Sequence, residues 1–359
     1  MQQRANGANK PHTVNLALQG GGAHGAFTWG VLDRMLEDGR LNFDGVSGTS
    51  AGAMNAVIMA DGYTRGGVDG ARQALHDYWE AISQTSVTSP IQRSPFDMFT
   101  DNWSLDENPF FIGMDLMTRL VSPYQFNPTG LNPLRDIVDE RVDFERVRAC
   151  QGMRVFVSAT NVHSGRVKVF SGDELTLDAV MASACLPFLF QAVEIDGVPY
   201  WDGGYMGNPV LFPFFTECTA RDIVVVQINP VCRQETPKTA RGILNRVNEI
   251  SFNGSLNKEL RMVEFLNQLA RSGALNSERY SETFLHRIDG GMSLRELSSS
   301  SKFNAEWAFL THLRDVGRAC ADNWLAGAID DIGSRSTIDL SESAPRHDAE
   351  PETTAQSEP

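Results

Sequence analysis

The sequence has 359 residues, of which 42% are hydrophobic, and a formal net charge of −14. That apolar content fills the core of one large α/β domain or two smaller ones. The acidic balance argues against binding nucleic acid and against simple docking on anionic membranes, since both rest on clustered Lys and Arg.

Residues 1–12, MQQRANGANKPH, lack an apolar core and a small-residue cleavage site, so they read as a disordered start and not as a secretory signal. Thr13 to Gln19 (TVNLALQ) has strand character and stops at Gly20-Gly21-Gly22-Ala23-His24-Gly25. Phe27, Val31, Met35 and Leu36 then recur at helical spacing, and Gly39 is placed to end that helix in a left-handed cap. A strand, a glycine loop and a helix point to an open α/β sheet. The loop offers successive backbone N–H groups beside the positive end of a helix, which suits a phosphate and an oxyanion equally. One reading is a dinucleotide-binding module. Gly20, Gly22 and Gly25 fit Gly-x-Gly-x-x-Gly, and Asp44 follows about 20 residues later, as a ribose-binding acid would.

Phe43 to Ala60 (FDGVSGTSAGAMNAVIMA) holds Gly48-Thr49-Ser50-Ala51-Gly52, a Gly-x-Ser-x-Gly pentapeptide between a strand-like and a helix-like run. By itself such a pentapeptide also fits a plain turn. As a nucleophile elbow it forces the serine backbone into strain, and only residues without bulk at Gly48 and Gly52 let strand and helix pass so closely. Asp44 opens this strand, whereas a dinucleotide fold places its acid at the end of the second strand, so the oxyanion reading of the glycine loop is the stronger. Gly45 to Ala60 is the longest uncharged apolar stretch, and it falls short of a membrane span of about 20 residues.

Val68, Ala71, Leu75, Trp79 and Ile82 mark an amphipathic helix. Residues 84–130 read as an irregular insertion punctuated by Pro90, Pro95, Pro109, Pro123 and Pro128. Its apolar segment from Phe110 to Leu120 fits a lid or lipid-facing wall as well as it fits a satellite core. Asn132-Pro133 opens a helix with Leu134, Ile137 and Val138 on one face. Arg154 to Val162 and Arg166 to Phe170 form a hairpin, and Leu177 to Cys185 a small-residue helix that Pro187 closes. Val193–Ile195 and Val198–Tyr200 flank the turn Asp196-Gly197 and lead into Trp201-Asp202-Gly203-Gly204. Alone, Asp-Gly-Gly marks a turn; beside the elbow and the glycine loop it reads as the acid of a site. Ile223 to Ile228 completes the sheet as a buried strand, and the helical patterns beyond Thr239 read as its cover. Residues 334–359 carry six carboxylates against Arg335 and Arg346 and hardly any apolar groups, the composition of a disordered acidic tail dispensable for folding. The five cysteines (Cys150, Cys185, Cys218, Cys232, Cys320) lack metal-ligand or Cys-x-x-Cys spacing, which suggests reduced thiols in a cytoplasmic protein.

Glycine loop, elbow and Asp-Gly-Gly, in that order on an α/β framework, resemble the patatin-like lipid acyl hydrolases of the soluble bacterial type. The resemblance runs from about Val14 to Ile228 and includes ASACLPFLFQAVEIDGVPYWDGG. It implies a three-layer α/β/α fold with a mainly parallel sheet, a catalytic domain over 13–333, and hydrolysis of fatty-acyl esters. It also implies Ser50 as nucleophile, Asp202 as base and Gly20, Gly21 and Gly22 as the oxyanion loop, with His24, Gly25, Gly48, Gly52, Gly203 and Gly204 in support and neither metal nor cofactor. The implied partner is a lipid or fatty-acyl ester, met in the cytoplasm or peripherally at a lipid surface. In one respect the chain departs from the family, which often has Arg or Lys where His24 stands. A Ser-Asp-His triad esterase is the enzymatic alternative, with His286 and His312 as its candidate bases.

Overall fold

The computed structural model describes residues 11–338 apart from 88, 101, 234 and 276–280. Eight strands form one sheet: β1 (His12–Leu18), β2 (Leu41–Gly48), β3 (Arg154–Asn161), β4 (Val167–Ser171), β5 (Val193–Ile195), β6 (Val198–Asp202), β7 (Asp222–Gln227) and β8 (Phe284–Asp289). They lie in the order β5-β6-β3-β2-β1-β7-β8, with β4 also paired to β3. The β1–β2, β1–β7, β2–β3 and β7–β8 pairs are parallel, and β4, β5 and β6 add antiparallel strands at one side.

The helices follow in chain order as α1 (Gly25–Asp38), α2 (Ala51–Val87), α3 (Pro95–Phe99), α4 (Pro109–Leu120), α5 (Pro123–Phe126), α6 (Pro133–Arg141), α7 (Phe144–Arg148), α8 (Leu177–Ser183), α9 (Phe212–Glu217), α10 (Ala240–Arg271), α11 (Gly291–Arg295) and α12 (Trp307–Gly327). Strand alternation divides the core between the two sheet faces. Leu16 and Leu18 of β1 and Val224 and Val226 of β7 pack with residues of α1, α2 and α12, while Ala17, Ile223 and Val225 pack with Phe214 of α9 and Leu256, Leu260 and Val263 of α10. Helices therefore cover both faces of a mainly parallel sheet, the three-layer α/β/α arrangement.

β3 determines what meets what. Its residues 154–157 pair with β2, residues 159–161 pair with β6, and residues 156–160 pair with β4. The overlap with β4 in both cases places β2 and β6 on the same edge of β3, one after the other. β2 ends where Gly48 faces Val157, and Asp202 closes β6 opposite Ala159, two residues further along. The turn after β2 and the end of β6 are thereby brought to one point of the sheet.

Three expectations need correction. The sheet does not end at Ile228, because β8 adds a strand beside β7. FLHRID hides its strand character in His286 and Arg287, yet His286 is fully buried between Asp222 Oδ1 and Thr337 Oγ1, each at 3.0 Å. The insertion over 84–130 is not wholly irregular, since it contains α3, α4 and α5, with Asn108 capping α4 through Phe111 N at 2.9 Å. The tail does not begin at Ser334: Leu285 N donates to Ser336 Oγ at 3.0 Å, and Thr337 N and Ile338 N donate to Leu285 O at 2.9 and 3.2 Å. Residues 334–338 thus cover the open edge of β8, and Ile338 packs into the core on the α10 face. Residues 339–359 of the expected tail and 1–10 of the expected N-terminal start lie outside the described residues.

A chain ending at Gly333 should melt below one ending at Ile338. Losing a few edge hydrogen bonds and the Ile338 contact amounts to about 1–3 kcal/mol, or roughly 2–6 °C, in thermal denaturation. Identical melting temperatures would show that residues 334–338 contribute nothing.

Candidate active site

Gly48 ends β2 and Ala51 begins α2, so strand turns into helix across Thr49 and Ser50. Ser50 sits at φ 53°, a left-handed conformation that costs a non-glycine residue about 1–3 kcal/mol. The surroundings hold it there. Ser50 N donates to the buried Ser183 Oγ at 2.8 Å, and Thr49 Oγ1 and Ser158 Oγ lie 2.5 Å apart and 2.7 and 2.9 Å from Gly207 O, so one hydroxyl donates to the other and the second to that carbonyl. A Cβ on Gly48 would stand 2.5 Å from the Gly52 carbonyl, and one on Gly52 would run into the Leu18 carbonyl oxygen. The two glycines are therefore required by backbone-to-backbone approach.

Asp202 leaves β6 with 1% of its surface exposed. Its Oδ1 accepts from Gly204 N at 2.7 Å, and the Ser50 side chain lies near enough to act on the same carboxylate. Burial pushes its pKa up to about 7 from an ordinary 3.8, against the opposing pull of the Gly204 N–H, the Ser50 hydroxyl and the Lys302 charge. A Cβ on Gly203 would strike Ser158 O and one on Gly204 the Phe252 ring, so the Asp-Gly-Gly turn is pressed against β3 and α10.

The glycine loop runs beside the elbow; a Cβ on Gly20 would lie 2.5 Å from Thr49 O and 2.8 Å from Ser50 Cβ. Gly20 itself has no free donor, because its N–H donates to the buried Asn208 Oδ1 at 2.7 Å while its carbonyl accepts from Asn229 Nδ2 at 2.7 Å. The N–H groups of Gly21 and Gly22 make no hydrogen bond among the described residues. Gly22 has φ +60° and lies against the Lys302 backbone. Gly25 meets Ala51, where α1 and α2 start side by side. His24 is 2% exposed, with Nε2 2.8 Å from Ser301 Oγ and Nδ1 without a partner. The Ser301 hydroxyl donates to Ser298 O at 2.7 Å, which assigns the His24 proton to Nε2. Burial, with the charges of Lys302 and Arg233, holds its pKa well below 6.5, so His24 is neutral.

Other candidates fall elsewhere. Asp44 lies toward the opposite end of β2 from the elbow, where Oδ2 accepts from Thr219 N and Ala220 N at 2.5 and 2.9 Å, so it is no ribose-binding partner of the glycine loop. His286 stands three strands from β2, about 14 Å at the usual strand spacing, with both ring nitrogens engaged. His312 is exposed and stacks on Trp103. Neither histidine hydrogen-bonds to Ser50 among the described residues.

The sequence profile of the patatin-like phospholipase family matches residues 16–215, more than half of the chain. The chain belongs to this family. Membership implies lipid acyl hydrolase activity. No curated protein matches the sequence. Among solved structures, VipD from Legionella pneumophila is similar at 16% identity and a TM-score of 0.39, over 85% of this chain and 67% of that one. ExoU in its complex with SpcU from the type III secretion system of Pseudomonas aeruginosa is similar at 14% identity and a TM-score of 0.31, over 88% of this chain. The patatin-like chain described here spans 53% of that longer one.

In this patatin-like protein, several residues around the loop escape sequence reasoning. Asn208 and Asn229, each followed by a proline, both clamp Gly20. Gln19 Oε1 accepts from Ile228 N and Asn229 N at 3.0 and 2.8 Å, and its Nε2 donates to Asn253 Oδ1 at 2.9 Å. Asn229, Asn253, Ser301 and Lys302 all lie beyond the matched segment, so the C-terminal region is part of the loop's surroundings and not only cover.

A raised carboxyl pKa is also a statement about stability. Below about pH 4 Asp202 is protonated folded or unfolded; as pH climbs through about 7 the folded state must carry a buried charge, and stability falls across that window. Asp202→Asn should therefore raise the melting temperature at pH 8, with the difference closing toward pH 4. An unchanged or lower melting temperature at pH 8 would contradict the buried charge.

Proposed function

We propose that this patatin-like phospholipase hydrolyses fatty-acyl esters of lipids with Ser50 as nucleophile, Asp202 as general base, and Gly21 and Gly22 as oxyanion donors. The observation that carries the reading is a strained serine beside a buried carboxylate whose pKa burial pushes up to about 7. As Ser50 Oγ bonds to the ester carbonyl carbon, Asp202 takes its proton, and the carbonyl π pair moves onto oxygen in front of the Gly21 and Gly22 N–H groups. The tetrahedral species collapses, the alcohol leaves with the proton from Asp202, and an acyl-serine remains. Water, deprotonated by Asp202, then releases the fatty acid and restores Ser50. A carboxylate is a weaker base than imidazole, and a pKa near neutrality is what suits it to the task. Gly20 contributes shape here and no donor. Residues 13–338 act as one catalytic unit in this reading.

The insertion provides the route for the acyl chain. α4 turns Phe111 inward against Phe303, at 5.7 Å between ring centroids, while Phe110 is 63% and Leu120 75% exposed and Leu116 is exposed as well. At its far end Tyr124 Oη accepts from Ala192 N at 3.2 Å and Gln191 Nε2 donates to Asn127 O at 2.7 Å. The segment spans from the neighbour of Lys302 to the loop after Cys185, whose carbonyl accepts from Asp202 N at 2.8 Å. An apolar face so placed suits contact with lipid better than a satellite core, of which Phe111 is the one buried member in α4. No described helix is long and apolar enough to cross a membrane.

With a panel of phospholipid, neutral glyceride, lysolipid and thioester substrates, turnover should vanish in Ser50→Ala and fall by about 100-fold or more in Asp202→Asn. The free-enzyme profile should rise through one ionisation near pH 7, and His286→Ala should retain turnover per folded molecule. A folded His286→Ala that is inactive, beside an active Asp202→Asn, would replace the dyad with a triad. Leu116→Ser combined with Leu120→Ser should lower activity on dispersed long-chain lipid several-fold and leave a soluble short-chain ester unaffected; equal losses on both would refute the lipid-facing role of α4.

A further inference from the structure

We infer that Lys302 is a positioning residue of the active site, supplying from the far end of the chain the fixed positive charge that position 24 lacks. This rests on the Ser50–Asp202 reading above. Lys302 belongs to the short helical turn Ser299–Phe303, which its backbone presses against Gly22 of the glycine loop. Its Nζ donates to Asn229 Oδ1 at 2.7 Å, and Asn229 Nδ2 donates to Gly20 O at 2.7 Å, so the ammonium is tied to the loop through one amide. The preceding residue, Ser301, accepts from His24. One turn of chain therefore touches the loop at Gly22 and His24 and reaches Gly20 through Asn229.

Charge follows the same geometry. His24 is neutral, and the Lys302 ammonium is one reason for it. Asp202 feels the Lys302 charge as an attraction that opposes the effect of burial. Around Lys302 stand Glu249, Arg233, Asp202 and His24, with Glu249 itself held by Arg233 and Arg246 at 2.6 and 3.0 Å. Burial first, and Arg233 second, bring Lys302 down to about 8, while Glu249 and Asp202 pull it upward.

The consequence is a charge balance that survives the reaction. Before attack the Asp202 carboxylate lies in the field of the Lys302 ammonium, whose Nζ is held on Asn229. Once Asp202 has taken the Ser50 proton, the negative charge has moved to the oxyanion at the glycine loop, and the same ammonium remains its counter-charge. A cation fixed beside the loop, whose field reaches both positions, stabilises the transition state without reorganising. Position 24 needs no charge of its own in such an arrangement, and a neutral His fills the space.

The test uses the full-length protein and a short-chain p-nitrophenyl ester, which has neither charged head group nor lipid interface, over pH 5 to 10. Lys302→Gln keeps a donor toward Asn229 and removes the charge. It should lower kcat by about 10- to 100-fold with little change in KM, and move the acidic limb of kcat/KM to higher pH because Asp202 has lost its cation. Wild type should show an alkaline limb near pH 8, where Lys302 gives up its proton; Lys302→Arg should restore kcat and abolish that limb, since guanidinium stays charged. If Lys302→Gln does not fold, Lys302→Arg still decides, because an unchanged alkaline limb would overturn the proposal. So would a folded Lys302→Gln with wild-type kcat and acidic limb, or a loss in Lys302→Arg as large as in Lys302→Gln. Wild-type turnover no greater than that of Ser50→Ala would instead overturn the catalytic reading, and this inference with it.

Discussion

A carboxylate taken out of water is the constraint around which this molecule is arranged. Left alone in the interior, Asp202 would remain protonated far above neutrality. Left in solvent, it would ionise from about pH 4 upward and be a weak base. The balance here is intermediate: a hydrogen bond from the Gly204 N–H, with the influence of the Ser50 side chain and the distant Lys302 ammonium, is set against near-complete burial. Each of these contributors is delivered by a different part of the fold, so the chemistry of one side chain depends on the sheet, the elbow and the C-terminal region at once.

The elbow shows how that dependence is built from backbone contact. Ser50 holds an unfavourable φ because Thr49, Ser158, Ser183 and Gly207 fix both sides of it through buried hydrogen bonds. The glycine loop is fixed in the same way by Asn208, Asn229 and Gln19. Polar groups buried in this manner are fully committed, and they hold Gly20 so firmly that its own N–H is used up. Among the described residues, the two N–H groups next along the loop have no partner.

Much of this was legible in the sequence because glycine leaves a mark. Gly48 and Gly52, the Gly20–Gly22 run and Gly203-Gly204 stand where backbones meet, and no other residue fits there, so their spacing points to Ser50 and Asp202. The parallel core strands were equally plain from their β-branched runs. What escaped notice is held by side chains whose partners are remote in sequence. Lys302, Asn208 and Asn229 carry no local pattern, and their meaning lies in contacts nearly 190 residues or more away for Gly20 to Asn208 and Gly20 to Asn229. β8 was missed because a buried His286 paired with Asp222 looks polar in sequence. The first residues of the tail were missed because edge pairing by Ser336, Thr337 and Ile338 uses mostly backbone, to which composition is blind.

The shared edge of β3 has a consequence for how the family can vary. Because β2 and β6 are both laddered onto β3, the separation of Ser50 from Asp202 is measured along a strand and not through the chain that joins them. Between those ladder positions Ser183 and Cys185 hold Ser50 and Asp202 directly, whereas α4 and α5 hydrogen-bond to neither. Such connections are free to lengthen, shorten or exchange their apolar surface without altering the distance between the two groups. A scaffold of this kind separates the evolution of substrate access from the preservation of chemistry, and α4 and α5 occupy the part that is free to drift.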